Sequence, residues 1–262
     1  SQIEGITGNL RTDGSAGNYA TGSVNAGATY KHKKLTVYAS AGINKRDNYF
    51  SVESERFQDP TDPLYFLTNN WTRLSHNLMY TFQTNLELQL DKNQTIGLFV
   101  DLNDVRFKGP WTTTNSFGRK NDKVDSVLFT DGSFNQKGNS QTYNFNYRLL
   151  SDSGKNELTV LGTFTPWQRD LRQSFPSTLY DGNGSVIKTP ALYQMQNKGK
   201  INVFIAQLDY SHQFKNQLAF ETGLKYQSTN SETLVIYEDY KTGQLQSDPS
   251  FSNNNLLKES IA

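Results

Sequence analysis

The residues most able to do chemistry are few and scattered. There are three histidines, His32, His76 and His212. Each is expected near a strand end or turn, and none has a second ligand at metal-binding spacing. A serine-hydrolase pair needs Ser and His on one strand face, but the neighbours Ser211 and His212 fall on opposite faces of an extended chain. Cys-based zinc sites and disulfides are excluded because the chain has no cysteine. DGNGS at Asp181–Ser185 and TDGS at Thr130–Ser133 read as Gly-rich turns. DPTDP at Asp59–Pro63 reads as an outer-loop turn with slight capacity for a cation. No catalytic residue, metal site or cofactor is expected, and the chain does not read as an enzyme. The remaining chemistry is recognition by aromatic side chains. Tyr49, Phe50, Tyr65, Trp71, Trp111 and Phe117 lie in long polar connections, where ligand contacts concentrate. They suit a sugar, a siderophore or a peptide; the competing reading is loop-to-loop packing.

What must position these residues is a set of ribbons with two unlike faces. From His76 to Leu90, Leu78, Tyr80, Phe82, Leu86, Leu88 and Leu90 alternate with Asn77, Thr81, Gln83, Asn85, Glu87 and Gln89. That is the period of a strand, not of a helix. Leu35–Ile43, Ile96–Leu102, Tyr143–Leu149, Phe204–Tyr210 and Leu218–Tyr226 repeat it. Ala20–Tyr30 and Glu157–Trp167 are less regular. A first strand over Ile3–Arg11 and a last one starting at Leu256 complete the series. Short polar turns at Lys31–Lys34, Asp91–Gln94, Ser151–Asn156 and Lys215–Gln217 alternate with long segments at Lys45–Arg73, Arg106–Asn139, Arg169–Gly199 and Thr229–Asn255. The recurring unit is about 60 residues, which fits no solenoid.

Composition agrees with alternation. Hydrophobic residues are 35% of the 262, yet aromatics reach 13%, and mean hydropathy is −0.68. A disordered chain is polar but lacks those aromatics. The net charge of +1 shows no basic stripe, so nucleic acid is not expected as a partner. The longest aliphatic run, Val203–Ala206, is far below the roughly 20 residues of a membrane helix. A β-barrel escapes that criterion, because each strand is only half apolar.

Alternation alone leaves two arrangements open: a soluble sandwich with the apolar face inward, or a barrel with that face on lipid. Two features favour the barrel. The polar faces carry Asn, Gln, Thr and Gly rather than dense Lys and Glu. Aromatics (Tyr30, Tyr49, Trp71, Phe107, Tyr143, Trp167, Phe214, Tyr226) gather near expected strand ends, like interfacial girdles. Strands of about 10–12 residues at ~3.3 Å each would span an apolar band of roughly 25 Å. On this reading Leu78, Leu86, Leu88, Leu98, Val100, Phe145, Leu208 and Phe220 face lipid, and Arg148, Glu221 and Lys225 line the lumen.

The run GITGNLRTDGSAGNYATGSVNAGATYKHKKLTVYASAGINKRDN, Gly5–Asn48, resembles the start of the barrel in TonB-dependent receptor-like outer-membrane proteins of Bacteroidetes. The closing NNNLLKESIA, Asn253–Ala262, resembles the opening of a further strand in that family. The resemblance implies the bacterial outer membrane, a barrel of about 22 strands, and ligand uptake with a plug domain and the TonB system as partners. Residues 1–262 then read as one partial barrel domain, with plug and remaining strands absent. The fold class expected is all-β: an antiparallel up-and-down meander of about 9–10 long strands, part of a large transmembrane β-barrel. An open curved sheet is expected, with a small closed barrel as runner-up. Residues 2–12 fit either the first barrel strand or the last plug strand. A structural or adhesive barrel and a soluble carbohydrate-binding β-sandwich are the competing functions.

Overall fold

The computed structural model describes residues 4–57, 65–119, 124–151, 154–214, 218–241 and 244–261. They form one antiparallel sheet. Its strands are β1 (Gly5–Ser15), β2 (Thr21–His32), β3 (Leu35–Phe57), β4 (Tyr65–Gln89), β5 (Gln94–Arg119) and β6 (Val124–Ser151). They continue with β7 (Asn156–Asp181), β8 (Val186–Gln213), β9 (Ala219–Lys241), β10 (Gln244–Ser247) and β11 (Asn253–Ile261). Each strand pairs with the next up to β10, and β11 also pairs with β9. β10 and β11 thus lie end to end along β9, interrupted where Ser252 folds back onto Tyr237. Among the described residues the sheet is open, not a small closed barrel: β1 pairs only with β2, and β10 and β11 only with β9.

Short turns set the register. Lys33 takes a left-handed φ of 48° between β2 and β3, and its amide donates to the Glu4 carboxylate at 2.9 Å. Asp91 accepts from the Asn93 amide at 2.7 Å, an Asx turn between β4 and β5. The turn at Lys215–Gln217 and the DPTDP segment at 59–63 lie outside the described residues.

The strands are far longer than expected. β3 to β9 run 23–28 residues, and most of what reads as long outer loops is paired ribbon. Beyond the alternating stretch neither face is continuously apolar, so the period-two signal fades, yet hairpin pairing continues rung by rung through Thr, Asn and Ser. TDGS is likewise not a turn. It lies inside β6, where the buried Thr130 hydroxyl meets that of Ser177 at 2.8 Å. DGNGS is a ribbon tip, and the Asp181 carboxylate is occupied by the amides of Asn183 and Ser185.

Prolines inside β5 and β7 leave a mark on the pairing. Opposite Pro110, Pro166 and Pro176 the ladder on one side has a gap, at Leu74–Ser75, Gln141–Thr142 and Asp131–Gly132. On the other side pairing is unbroken, to Ser133, Asn202 and Leu192. A proline has no N–H to give, so each interrupts only the ladder its N–H would have served.

The sheet has no core. Phe134, 5% exposed, is the only buried hydrophobic among the described residues. A β-sandwich buries one face against a second sheet; here a single layer leaves Leu98, Phe145, Leu208, Phe220 and Leu224 exposed together. The soluble sandwich is therefore overturned.

Candidate ligand-contact site

The register assigns every residue a face. Leu78, Leu86, Leu88, Leu98, Val100, Phe145, Leu208 and Phe220 all lie on one face, the apolar one. Leu86 is flanked by Val37 and Leu98, and Leu98 by Phe145 on its other side. Leu78 differs from the rest, since its two rung partners are Lys45 and Arg106, which puts it at the margin of the apolar band. Arg148, Glu221 and Lys225 lie on the opposite, polar face. There the Arg148 guanidinium forms a bidentate pair with Glu157 at 2.7 and 3.0 Å.

The polar face is fitted closely. A Cβ added to Gly97 would strike the Asn146 amide, one on Gly42 the Asn25 side chain, and one on Gly223 the Asp209 carboxylate. In each case a polar side chain of a neighbouring strand lies across the space a glycine leaves.

Beyond the band, on this same polar face, the ribbons gather aromatics around one arginine. The rung partners Phe50, Arg73 and Trp111 cross β3, β4 and β5. Phe50 meets Trp71 edge-on, centroids 5.2 Å apart, and Trp111 meets Phe175 at 5.3 Å. The Arg73 guanidinium lies 4.0 Å over the Phe134 ring, a cation–π contact. Trp111 lies across Gly132, where a Cβ would collide with the indole. Two adjoining concavities share Trp71 and Arg73: one of about 440 Å³ with Phe50 and Phe107, one of about 230 Å³ with Trp111, Gln136 and Gln173. The Arg73 Nε and Trp111 Nε1 donors are buried and have no hydrogen-bond partner among the described residues. Buried donors are normally satisfied, so these two stand out within the cluster.

Of the six aromatics picked out by sequence, Phe50, Trp71 and Trp111 thus join one cluster, and Phe117 lies on the same face nearer the ribbon tip. Tyr49 is on the other face, 52% exposed and stacked on Tyr19. The side chain of Tyr65 lies outside the described part. Arg73, Phe134 and Phe175 were missed, although the register fixed by the Asp91 turn already pairs Arg73 with Trp111. Trp71, Phe107 and Trp167 lie on the polar face, within strands, so they form no girdle on the apolar side. Farther along the same face Tyr193 and Tyr237 stack at 5.7 Å. Burial, then the neighbouring Tyr193, Asp239 and Asp248, push the Tyr237 phenol above its ordinary value.

His32 pairs with Glu4 at 3.3 Å and His76 with Asp47 at 3.0 Å, and no group of three metal-ligating side chains occurs among the described residues. His76 lies inside β4, not at its end. Ser211 and His212 are on opposite faces.

Residues 148–262 match the sequence model of the outer membrane protein beta-barrel family. No curated protein matches the chain. With an all-strand antiparallel meander and a continuous exposed apolar face, the chain is an outer-membrane β-barrel protein of the bacterial outer membrane.

Proposed function

We propose that the chain supplies part of the wall of a TonB-energised outer-membrane receptor, and that the Trp71–Arg73–Trp111 cluster is a ligand contact in its outer vestibule. Support for the larger wall comes from the two open sheet edges, because lipid cannot satisfy an unpaired ladder. Support for ligand contact comes from one observation above all: Arg73 and the aromatic rings around it line two adjoining concavities on the polar side of the sheet. Aromatic planes stack on sugar rings or flat chelates, and a guanidinium beside them takes a carboxylate, phosphate or hydroxyl oxygen. Short turns lie on the periplasmic side of such barrels and long connections outside, so the cluster meets ligand before the membrane is crossed. A plug domain and the TonB system complete the proposed importer.

The test begins with tryptophan fluorescence of the protein in detergent, titrated with an oligosaccharide, a ferric siderophore and a short-peptide mixture. The expected result is quenching by one class, lost in Arg73→Ala and Trp111→Phe. Uptake of that probe by cells then stops when the TonB system is inactivated. Uptake unchanged without TonB would overturn the energised reading, and uptake no greater than in cells lacking the protein would leave a non-transporting barrel, structural or adhesive, as the better account.

A further inference from the structure

The face that bears the apolar band also bears charge, at and beyond its outer margin. On the side away from the short turns, Lys45, Arg106, Lys137, Asp170 and Lys198 follow one another along a single line of rungs that passes through Leu78. The next line toward the band holds Asp104, Lys200 and Glu232. At the opposite margin of this face, strand positions such as Leu35, Leu88, Ile96, Leu158 and Tyr210 carry no Lys or Arg. Chemistry differs between the two margins as it differs between the two leaflets of an outer membrane.

The arginines are internally paired: Arg106 with Asp104 at 3.0 Å and Arg172 with Asp170 at 3.5 Å. Lys137, Lys198 and Lys200 make no ion pair among the described residues, and with Asp170 and Glu232 they surround a concavity of about 590 Å³. Side chains on this face point away from the barrel interior, so no solute passing through the interior reaches them. Their surroundings are headgroups. Lys198 and Lys200 lie six and four residues beyond Phe204, where the apolar alternation of β8 ends, and Lys137 six beyond Tyr143 of β6, so the ammonium groups stand outside the hydrocarbon at headgroup depth, where they need a counter-anion. The carboxylates beside them suit hydroxyl donors of a sugar.

We propose that this concavity binds the phosphorylated sugar headgroup of an outer-leaflet glycolipid, with Lys137, Lys198 and Lys200 on phosphate and Asp170 and Glu232 on hydroxyls. The inference rests on the outer-membrane location and is independent of the transport reading.

The test uses the protein purified from outer membranes in a non-ionic detergent, with native mass spectrometry to count bound lipid. The probes are bisphosphorylated lipid A, the same lipid dephosphorylated, and phosphatidylglycerol, with inorganic phosphate as competitor. Lipid A is expected to bind and the dephosphorylated form not. The variant Lys137→Gln/Lys198→Gln/Lys200→Gln is expected to lose roughly 100-fold in affinity, about 5-fold per lysine. Lys31→Gln/Lys33→Gln/Lys34→Gln, at the other margin, should bind as the parent does. If the triple variant fails to fold, judged by heat-modified gel mobility, Lys198→Gln and Lys200→Gln singly should each show the 5-fold loss. Equal binding of both lipid A forms, equal binding of phosphatidylglycerol, full displacement by millimolar inorganic phosphate, or unchanged affinity in the lysine variants would each overturn the proposal.

Discussion

Placing a lysine at successive depths on the apolar face tests the membrane assignment most directly. Leu86 lies well inside the band, between Val37 and Leu98. Leu86→Lys puts an ammonium in hydrocarbon and should cost roughly 2–4 kcal/mol. Asn85, one residue away, is exposed on the polar face between Tyr38 and Phe99. Asn85→Lys should stay within about 0.5 kcal/mol, as a substitution on a wet face does. Leu78 supplies the third point, because its partners Lys45 and Arg106 place it where the band ends. Leu78→Lys should cost only about 0–1 kcal/mol for depth, plus a small repulsion from those two cations. The assay is guanidinium unfolding of the protein in liposomes, followed by gel mobility and tryptophan emission. The order expected is Leu86 far above Leu78, with Asn85 lowest. Equal costs at Leu86 and Asn85 would refute the face assignment, and equal costs at Leu86 and Leu78 would refute the position of the margin.

Other consequences can be checked separately. Gly132→Val should expel the Trp111 indole from its seat and abolish probe-dependent quenching, while insertion into the membrane is retained. Arg148→Ala should cost less than about 1 kcal/mol despite its bidentate geometry, since both partners are a third or more exposed and water screens the pair; chemical denaturation measures it. The Tyr237 phenol, raised above 10.0 by burial, stays protonated in the fold after the unfolded chain has begun to ionise. Stability of the outer ribbon should therefore be flat up to about pH 10 and fall above it. Hydrogen exchange of β9 against pH, compared with Tyr237→Phe, which should lack the fall, gives the readout.

How much of this was legible in the sequence follows from where lipid imposes a pattern. Leu86, Leu98 and Phe145 announce themselves because their neighbours Asn85, Gly97 and Asn144 answer a different medium. Past Lys45 both faces of the ribbon are wet and polar, so Thr113 or Asn115 gives no sign of pairing, although Asn69 bonds to both at 2.9 and 2.7 Å. The charged margin was misread as the start of loops because charge broke the apolar alternation, although Lys45 and Asp47 keep the parity of Ile43. The cluster around Arg73 was half seen. Aromatic type singled out Trp71 and Trp111, but the arginine between them became visible only when the short turn was allowed to fix pairing over the whole hairpin.

The geometry of the band carries a further argument, independent of residue type. If its margin marks a membrane surface, it must be planar, and tilted strands must cross that plane at successively shifted rungs. In β3 the apolar alternation ends at Ile43; in β9 it ends at Tyr226, which is joined through Ala206, Gly162, Phe145, Leu98 and Leu86 to Val37. The margin has slid six residues (Ile43 against Val37) over six strand-to-strand steps (β3 to β9). At a rise of ~3.4 Å per residue and a spacing of ~4.8 Å per strand, that slope is an angle of about 35°. Membrane barrels tilt their strands by roughly 35–45°. The margin of a globular core has no reason to march across a sheet at that rate, whereas a flat lipid surface cut by tilted strands requires it. Spin labels at Ile43, Leu102, Phe204 and Tyr226 should therefore report one immersion depth in a bilayer. Depths that follow the rungs instead of this diagonal would defeat the membrane plane drawn through them.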